Sequence, residues 1–189
     1  MIGGPGVPVR VELSCRALVL VAGMPGAGKS TLLAGLPVDA RVVVLDSDVQ
    51  RAALRRALPG VPYRSYRGLV HLLHRLAVVR AAVSRVPVVV AHLPATDPGT
   101  RAALARLAAL TGRSAHLLWL HVEPADALRG QAVRGRVVPG RSFTRHAAAA
   151  ARPPGPSPEW ASVTVLDRAR ARAGLVLDPP VQRTRVGAQ

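Results

Sequence analysis

The sequence predicts an α/β domain with a five-stranded parallel sheet flanked by helices, and three observations carry that prediction. Apolar runs of four to eight residues, rich in Val and Leu, alternate with stretches of helical character. The first run, Ala17 to Ala22, reads ALVLVA with no polar residue, as a strand buried on both faces requires. It passes directly into a glycine-rich turn, Gly23 to Gly28, and from there into a helix.

Taken in order, strands are expected at Ala17 to Ala22, Arg41 to Leu45, Pro87 to Ala91, Ala115 to Val122 and Ser162 to Leu166. Between and after them, helices are expected at Ser30 to Leu36, Ser47 to Leu58, Gly68 to Ser84, Pro98 to Leu110 and Pro124 to Arg134. Thr96-Asp97-Pro98 reads as the entry to the fourth helix, with Asp97 either capping it or lining a cleft for a ligand. The proline-rich stretch Arg152 to Pro158 cannot be a helix interior and reads as a stiff surface connection. Right-handed crossovers between parallel strands then place any ligand at the carboxyl ends of the strands. The expected organisation is one domain over residues 17–177, an extension at 1–16 and a disordered tail at 178–189, where there are two prolines and few apolar groups.

Composition excludes some classes and leaves others open. The single cysteine, Cys15, rules out an intramolecular disulfide framework and fits a reducing cytoplasm. No apolar run reaches the length of a membrane span, and the start of the chain lacks a basic region followed by an apolar stretch, so a soluble cytoplasmic protein is expected. A formal charge of +16 suits a polyanionic partner. Against nucleic acid as the main partner, the arginines are spread through nearly every segment, and aromatic residues for stacking on bases make up only 3% of the chain.

The turn after the first strand carries the chemistry. Gly23-Met24-Pro25-Gly26-Ala27-Gly28-Lys29-Ser30-Thr31 fits the phosphate-binding pattern G-x4-G-K-[ST] in full. Lys29 is the only lysine among 26 basic side chains, so composition did not place it there. From the frequencies of Gly, Lys, Ser and Thr, about 0.001 chance matches are expected in a chain of this length. In such a turn, backbone N–H groups converge on phosphates, Lys29 reaches the β- and γ-phosphates, and Ser30 ligates Mg²⁺. A nucleoside triphosphate is therefore the expected ligand.

A second constellation follows the second strand, where Val42-Val43-Val44-Leu45 runs into Asp46-Ser47-Asp48-Val49-Gln50-Arg51. If this segment is extended, Asp46 and Asp48 point the same way, and Arg51 shares the face of Asp48 once a helix begins. One carboxylate then orients the water shell of Mg²⁺ while the other accepts the proton of an attacking hydroxyl. The competing use is helix capping by Ser47 or Asp48.

The phosphate-binding turn followed by D-S-D-x-x-R resembles the small P-loop kinases. The D-S-D part is similar to shikimate and gluconate kinases; the D-x-x-R part is similar to the polynucleotide kinase and chloramphenicol phosphotransferase branch, a group of AAA-family ATPases. The resemblance runs from about Ala17 to Arg168 and implies a P-loop NTPase fold that uses ATP with Mg²⁺. It implies Asp46 as the carboxylate on the metal side, Asp48 as the base and Arg51 as a substrate contact. In place of the Walker B aspartate, however, the third strand ends in His92, which reads either as a donor facing the phosphates or as a satisfied polar residue at the sheet edge.

By the same resemblance, the arginines at 129, 134, 136, 141 and 145, interrupted by Gly135, Pro139 and Gly140, form a lid over about 129–158. Arg134 and Arg136 are the expected catalytic cations, and Arg129 and Arg168 are expected at the nucleotide. Val163 to Arg168 resembles the last strand and adenine loop. Tyr66, within Tyr63-Arg64-Ser65-Tyr66-Arg67, is expected either in the acceptor pocket or in the core, and His71 with His74 lacks the third ligand a metal site needs. The function expected is transfer of the γ-phosphoryl of Mg-ATP to a hydroxyl of a small molecule the sequence does not name. The alternatives are a regulatory ATPase and a 5′-hydroxyl polynucleotide kinase. ATP is preferred to GTP on the resemblance alone.

Overall fold

The computed structural model describes residues 7–36, 41–93, 95–133 and 140–178. Over these the chain runs β1 (Val9–Glu12), β2 (Ala17–Gly23), α1 (Lys29–Ala34), β3 (Val42–Asp46), α2 (Ser47–Ala57), α3 (Tyr63–Val83) and β4 (Val88–His92). It continues through α4 (Pro98–Leu110), β5 (Ser114–Leu120), α5 (Pro124–Val133), α6 (Gly140–Ala150), β6 (Ser162–Leu166), α7 (Arg168–Ala173) and β7 (Leu175–Asp178).

Five strands form one parallel sheet in the order β3-β4-β2-β5-β6. All seven residues of β2 are buried, as its uninterrupted apolar sequence requires of the central strand. After β2 the chain passes over the place of β4 to make the edge strand β3, returns to β4, and then crosses β2 to make β5 and β6. The carboxyl end of β2 therefore lies where the winding reverses, the place where such sheets open a crevice for ligands.

The helices carry local signals that match their bounds. Asp97 caps α4, its carboxylate accepting from the Thr100 N–H at 2.7 Å, with Pro98 in the first turn. This satisfies one of the two uses the sequence allowed Asp97. Tyr63 to Arg67, left outside the third helix by the sequence pattern, instead forms the first turn of α3, which follows Pro62.

Residues 9–12, expected to lie in an extension ahead of the domain, are paired within it. β1 and β7 form a separate two-stranded parallel sheet, with Val9 opposite Leu175 and Glu12 opposite Asp178. Val9, Val11 and Leu13 are buried while Arg10 and Glu12 face water, the period of a half-buried strand. Arg10 reaches Asp178 at 3.0 Å, so Asp178 closes β7 rather than opening a tail. The remainder of the expected extension and tail, residues 1–6 and 179–189, lies outside the described residues.

At the amino end of the main sheet, Arg113 is buried and clamps three segments together. Its Nε donates to the Ala82 carbonyl at 2.7 Å, Nη1 to Pro87 at 2.9 Å, and Nη2 to Ser84 at 2.9 Å. Ala82 is in the last turn of α3 and Ser84 caps it, where a helix end leaves carbonyls without intrahelical partners, while Pro87 immediately precedes β4.

Candidate active site

The phosphate-binding turn sits at the carboxyl end of β2 in a conformation only its glycines permit. At Gly26 φ is 91°, and a Cβ there would run into the carbonyl of Ala127 on α5. The turn is wedged in place from the other side. Arg168 donates to the carbonyls of Gly26 and Asp126 at 3.1 and 3.0 Å, and Gln131 donates to that of Pro25 at 3.0 Å. Lys29 is buried, with Nζ 2.7 Å from the carbonyls of both Gly23 and Met24. The ammonium is thereby folded back onto its own loop.

Facing this turn is the end of β3. Helix α2 begins at Ser47, as expected, so Asp48 lies in its first turn rather than on an extended segment, and Asp46 rather than Ser47 or Asp48 is its cap. The Asp46 Oδ1 accepts from the Asp48 N–H at 3.0 Å, and Oδ2 accepts from His92 Nδ1 at 2.7 Å. Asp46 and His92 are register partners on neighbouring strands, so the pairing follows from the sheet itself. Burial raises the Asp46 pKa, but the hydrogen bond and charge of His92 and the N–H of Asp48 outweigh it and bring the carboxyl down to about 2. His92 is paired at the end of a strand inside the sheet rather than at its edge, and it also lines the cavity described next.

The two walls enclose a cavity of about 190 Å³ whose lining includes Gly26, Lys29, Ser30, Asp46, Asp48 and His92. That volume suits phosphate groups and is too small for a nucleoside. A second cavity of about 360 Å³ shares Gly28 with the first and is lined by Thr31, Arg129, Arg168 and Arg172. The hydroxyl of Ser30 and the carboxylates of Asp46 and Asp48 are hard oxygen donors on the wall of the smaller cavity, a set that fits Mg²⁺ held partly by water and phosphate. Arg129 pairs with Asp126 on α5 and is largely exposed.

Other expected site residues are placed differently. Arg51 lies over the ring of Tyr63 with its guanidinium carbon 4.4 Å from the centroid. Tyr66 is buried against Tyr63, their rings edge to face at 5.5 Å, so Tyr63 is the tyrosine accessible beside Arg51. Arg134 and Arg136 lie outside the described residues. His74 is completely buried, with Nε2 3.0 Å from the carbonyl of His92.

Three participants escaped the sequence reading. Gln131 lines the smaller cavity. Thr96, in the loop after β4, is buried and lies 2.8 Å from Nδ1 of His146 on α6. Burial, then the positive charges of Arg145, Lys29 and Arg67, hold the His146 pKa below its usual value, which places this histidine within electrostatic reach of the lysine. The loop bearing Thr96 is strained: Ala95 has φ 30°, and Arg101 donates to the carbonyls of both Ala95 and Thr96. Only the i, i+3 and i, i+4 environment of a residue is visible in sequence, and none of these three contacts is local.

A glycine-rich turn at the end of a central parallel strand, with a buried lysine beneath it and carboxylates opposite, defines a P-loop nucleotide-binding protein of kinase-like α/β fold. The family model of the AAA domain matches residues 18–154, and the chain belongs to that family. Sequence comparison with curated proteins gives no match. Among solved structures, the chain is similar to a candidate kinase from Chloroflexus aurantiacus j-10-fl, with TM-score 0.62 and 16% identity over 82% of this chain and 86% of that one. It is also similar to the tunicamycin resistance protein of Deinococcus radiodurans, with TM-score 0.51 and 19% identity over 87% and 99%. A gluconokinase from Sinorhizobium meliloti 1021 follows, with TM-score 0.50 and 16% identity over 85% and 93%. At these identities the likeness is one of fold.

Proposed function

We propose that the protein transfers the γ-phosphoryl group of ATP to a hydroxyl of a small molecule. The observation that carries this reading is the smaller cavity, in which Lys29 and Ser30 face Asp48 across a space the size of a phosphate group. Lys29 exchanges its two loop carbonyls for phosphate oxygens, and the amides of the turn hold the same anion. The larger cavity takes the nucleoside beside Arg129 and Arg168. Mg²⁺, when bound with the nucleotide, neutralises charge on the β- and γ-phosphates. Ser30 would be its protein ligand, and Asp46, with both oxygens already accepting N–H groups, would stand beside it as a second, indirect carboxylate. Asp48 takes the proton of the attacking hydroxyl as the P–O bond to ADP breaks and the bond to the acceptor oxygen forms. Arg51 and Tyr63 flank the acceptor, and the arginines of the 129–158 segment close over the triphosphate.

ADP release from Mg-ATP is the test, measured alone and against a panel of sugars, nucleosides, hydroxylated antibiotics and 5′-hydroxyl oligonucleotides. Stimulation by one small-molecule class, lost in both Lys29→Ala and Asp48→Asn, is the expected result. Full acceptor phosphorylation by Asp48→Asn would remove Asp48 as base. A flat panel with slow hydrolysis would leave a regulatory ATPase, and stimulation confined to oligonucleotides a polynucleotide kinase.

A further inference from the structure

Helix α3 has two apolar stripes on opposite sides. Tyr66, Val70, His74, Val78 and Ala82 are buried against the rest of the domain. On the outer side Leu69, Leu72, Leu76, Val79 and Val83 recur at alternating spacings of three and four residues and are 41–65% exposed. That spacing is the seam of a helix that packs along another helix. Surface helices normally give this face to charged residues, and a row of five apolar side chains in water is costly without a partner.

The seam continues into a groove. Between α3 and α4 lies a cavity of about 500 Å³ lined mainly by apolar side chains, among them Val79, Leu104, Leu107 and Leu110, with Arg75 and Arg106 beside them. Val79 belongs to both the seam and the groove, and Leu110 at its far side is 86% exposed. From Leu69 to Val83 the seam is roughly 21 Å long, the length of a four-turn helix.

Charge selects the occupant. Between Val49 and Val122 the chain contains eleven arginines and a single acidic residue, Asp97, which is committed to capping α4. Neither α3 nor α4 contains an acid. A second copy of this chain would set Arg75 and Arg80 against the same arginines, and like charges at close range oppose that pairing. A concave groove beside a helical seam, with no tryptophan or phenylalanine along it, suits a helix better than a bilayer surface.

We propose that the α3–α4 face docks an acidic amphipathic helix of a partner protein, its leucine-type residues filling the seam and its Asp and Glu side chains meeting Arg75, Arg80 and Arg106. The site is separate from the phosphate cavity.

The test uses the full chain and a synthetic 21-residue helical peptide with Leu at alternating three- and four-residue spacings and Glu elsewhere, followed by fluorescence anisotropy. Saturable binding is expected, about tenfold weaker at high salt, as paired surface charges are screened. It weakens at least about tenfold in Leu72→Gln/Leu76→Gln and in Arg75→Glu/Arg106→Glu, each checked to melt like the parent and to keep its ADP-release activity. Equal binding by a peptide with Ser in place of Leu would reduce the effect to attraction of any polyanion and overturn the proposal. So would absence of binding, or equal binding of a Lys-for-Glu peptide. Sedimentation of the parent as a dimer that Leu72→Gln/Leu76→Gln dissolves would assign the face to a second copy instead. Co-sedimentation with phosphatidylglycerol vesicles, lost in that variant, would assign it to a membrane.

Discussion

Two buried cations sit at opposite ends of the same sheet, Lys29 at the carboxyl end and Arg113 at the amino end, each 5% exposed. Both meet backbone carbonyls, yet they are built for different ends. Arg113 spreads a rigid fork of donors over carbonyls of Ala81, Ala82, Ser84 and Pro87, drawn from a helix end and a strand start that cannot move apart. Lys29 holds two carbonyls of a loop with a flexible stem and a compact charge that can be re-aimed. A buried cation is therefore not in itself a sign of function. What separates the two is the cavity in front of Lys29, bounded by oxygen donors.

The comparison breaks most clearly at Lys29. Lys29→Ala should lower nucleotide turnover by about 10²–10³-fold, the scale of losing one preorganised charge at developing phosphate charge, while the thermal midpoint stays near that of the parent. An equal collapse of stability would mean that Lys29 too is a structural clamp. Arg113→Ala should do the reverse: the Ala82 carbonyl loses its donor, those of Ser84 and Pro87 each lose one of two, and a large buried side chain leaves a void, at a cost of about 3 kcal/mol, or a fall of about 6–12 °C in the melting midpoint. Urea unfolding checks the first figure, and nucleotide binding per folded molecule should be unchanged.

Asp46 sharpens the contrast, since it serves both ends of the argument: it caps α2 and holds His92 at the cavity. Its pKa is lowered from 3.8 to about 2 in the folded protein. Its contribution, about 2 kcal/mol, is present above the unfolded value and is lost as pH falls through the folded one. The urea midpoint should therefore drop between about pH 4 and pH 2 in the parent, and by less in Asp46→Asn. Parallel curves for the two proteins would show that the His92 pairing adds nothing to the fold. The smallest effect is expected at Asp97, where loss of the α4 cap in Asp97→Ala costs about 1 kcal/mol, read as a small fall in the urea midpoint.

Much of this was legible in the chain. The central strand was readable because burial on both faces forces an uninterrupted apolar run, and Ser162–Leu166 and Pro98–Leu110 have the bounds their periodicity predicts. β1 and β7 were passed over although Val9-Arg10-Val11-Glu12 alternates, because four residues beside glycine and proline carry too weak a period to stand alone. They become strands only by pairing with each other across most of the chain. In the site, the glycine-rich turn and Lys29 were explicit, since a local backbone shape demands those residue types in that order. Asp46 is extended as its place at the strand end implies, whereas Asp48 lies in the first turn of α2, because the cap that starts the helix at Ser47 is set by the Asp46 side chain itself.

The sequence by itself determined the alternation of strands and helices, the buried axis, the phosphate-binding turn and the pair of acids after the second strand; each is a pattern within a few consecutive residues. Tertiary structure alone decided that His92 meets Asp46, that His146 reaches Thr96, that Gln131 and Arg168 brace the turn, and that Arg113 is a clamp. It also decided that α3 keeps a second apolar face uncovered. Residue spacing along the chain governs what lies on one face of a helix or strand, but it is the strand order of the sheet that determines which faces meet, and polar partners are fixed only when those faces do.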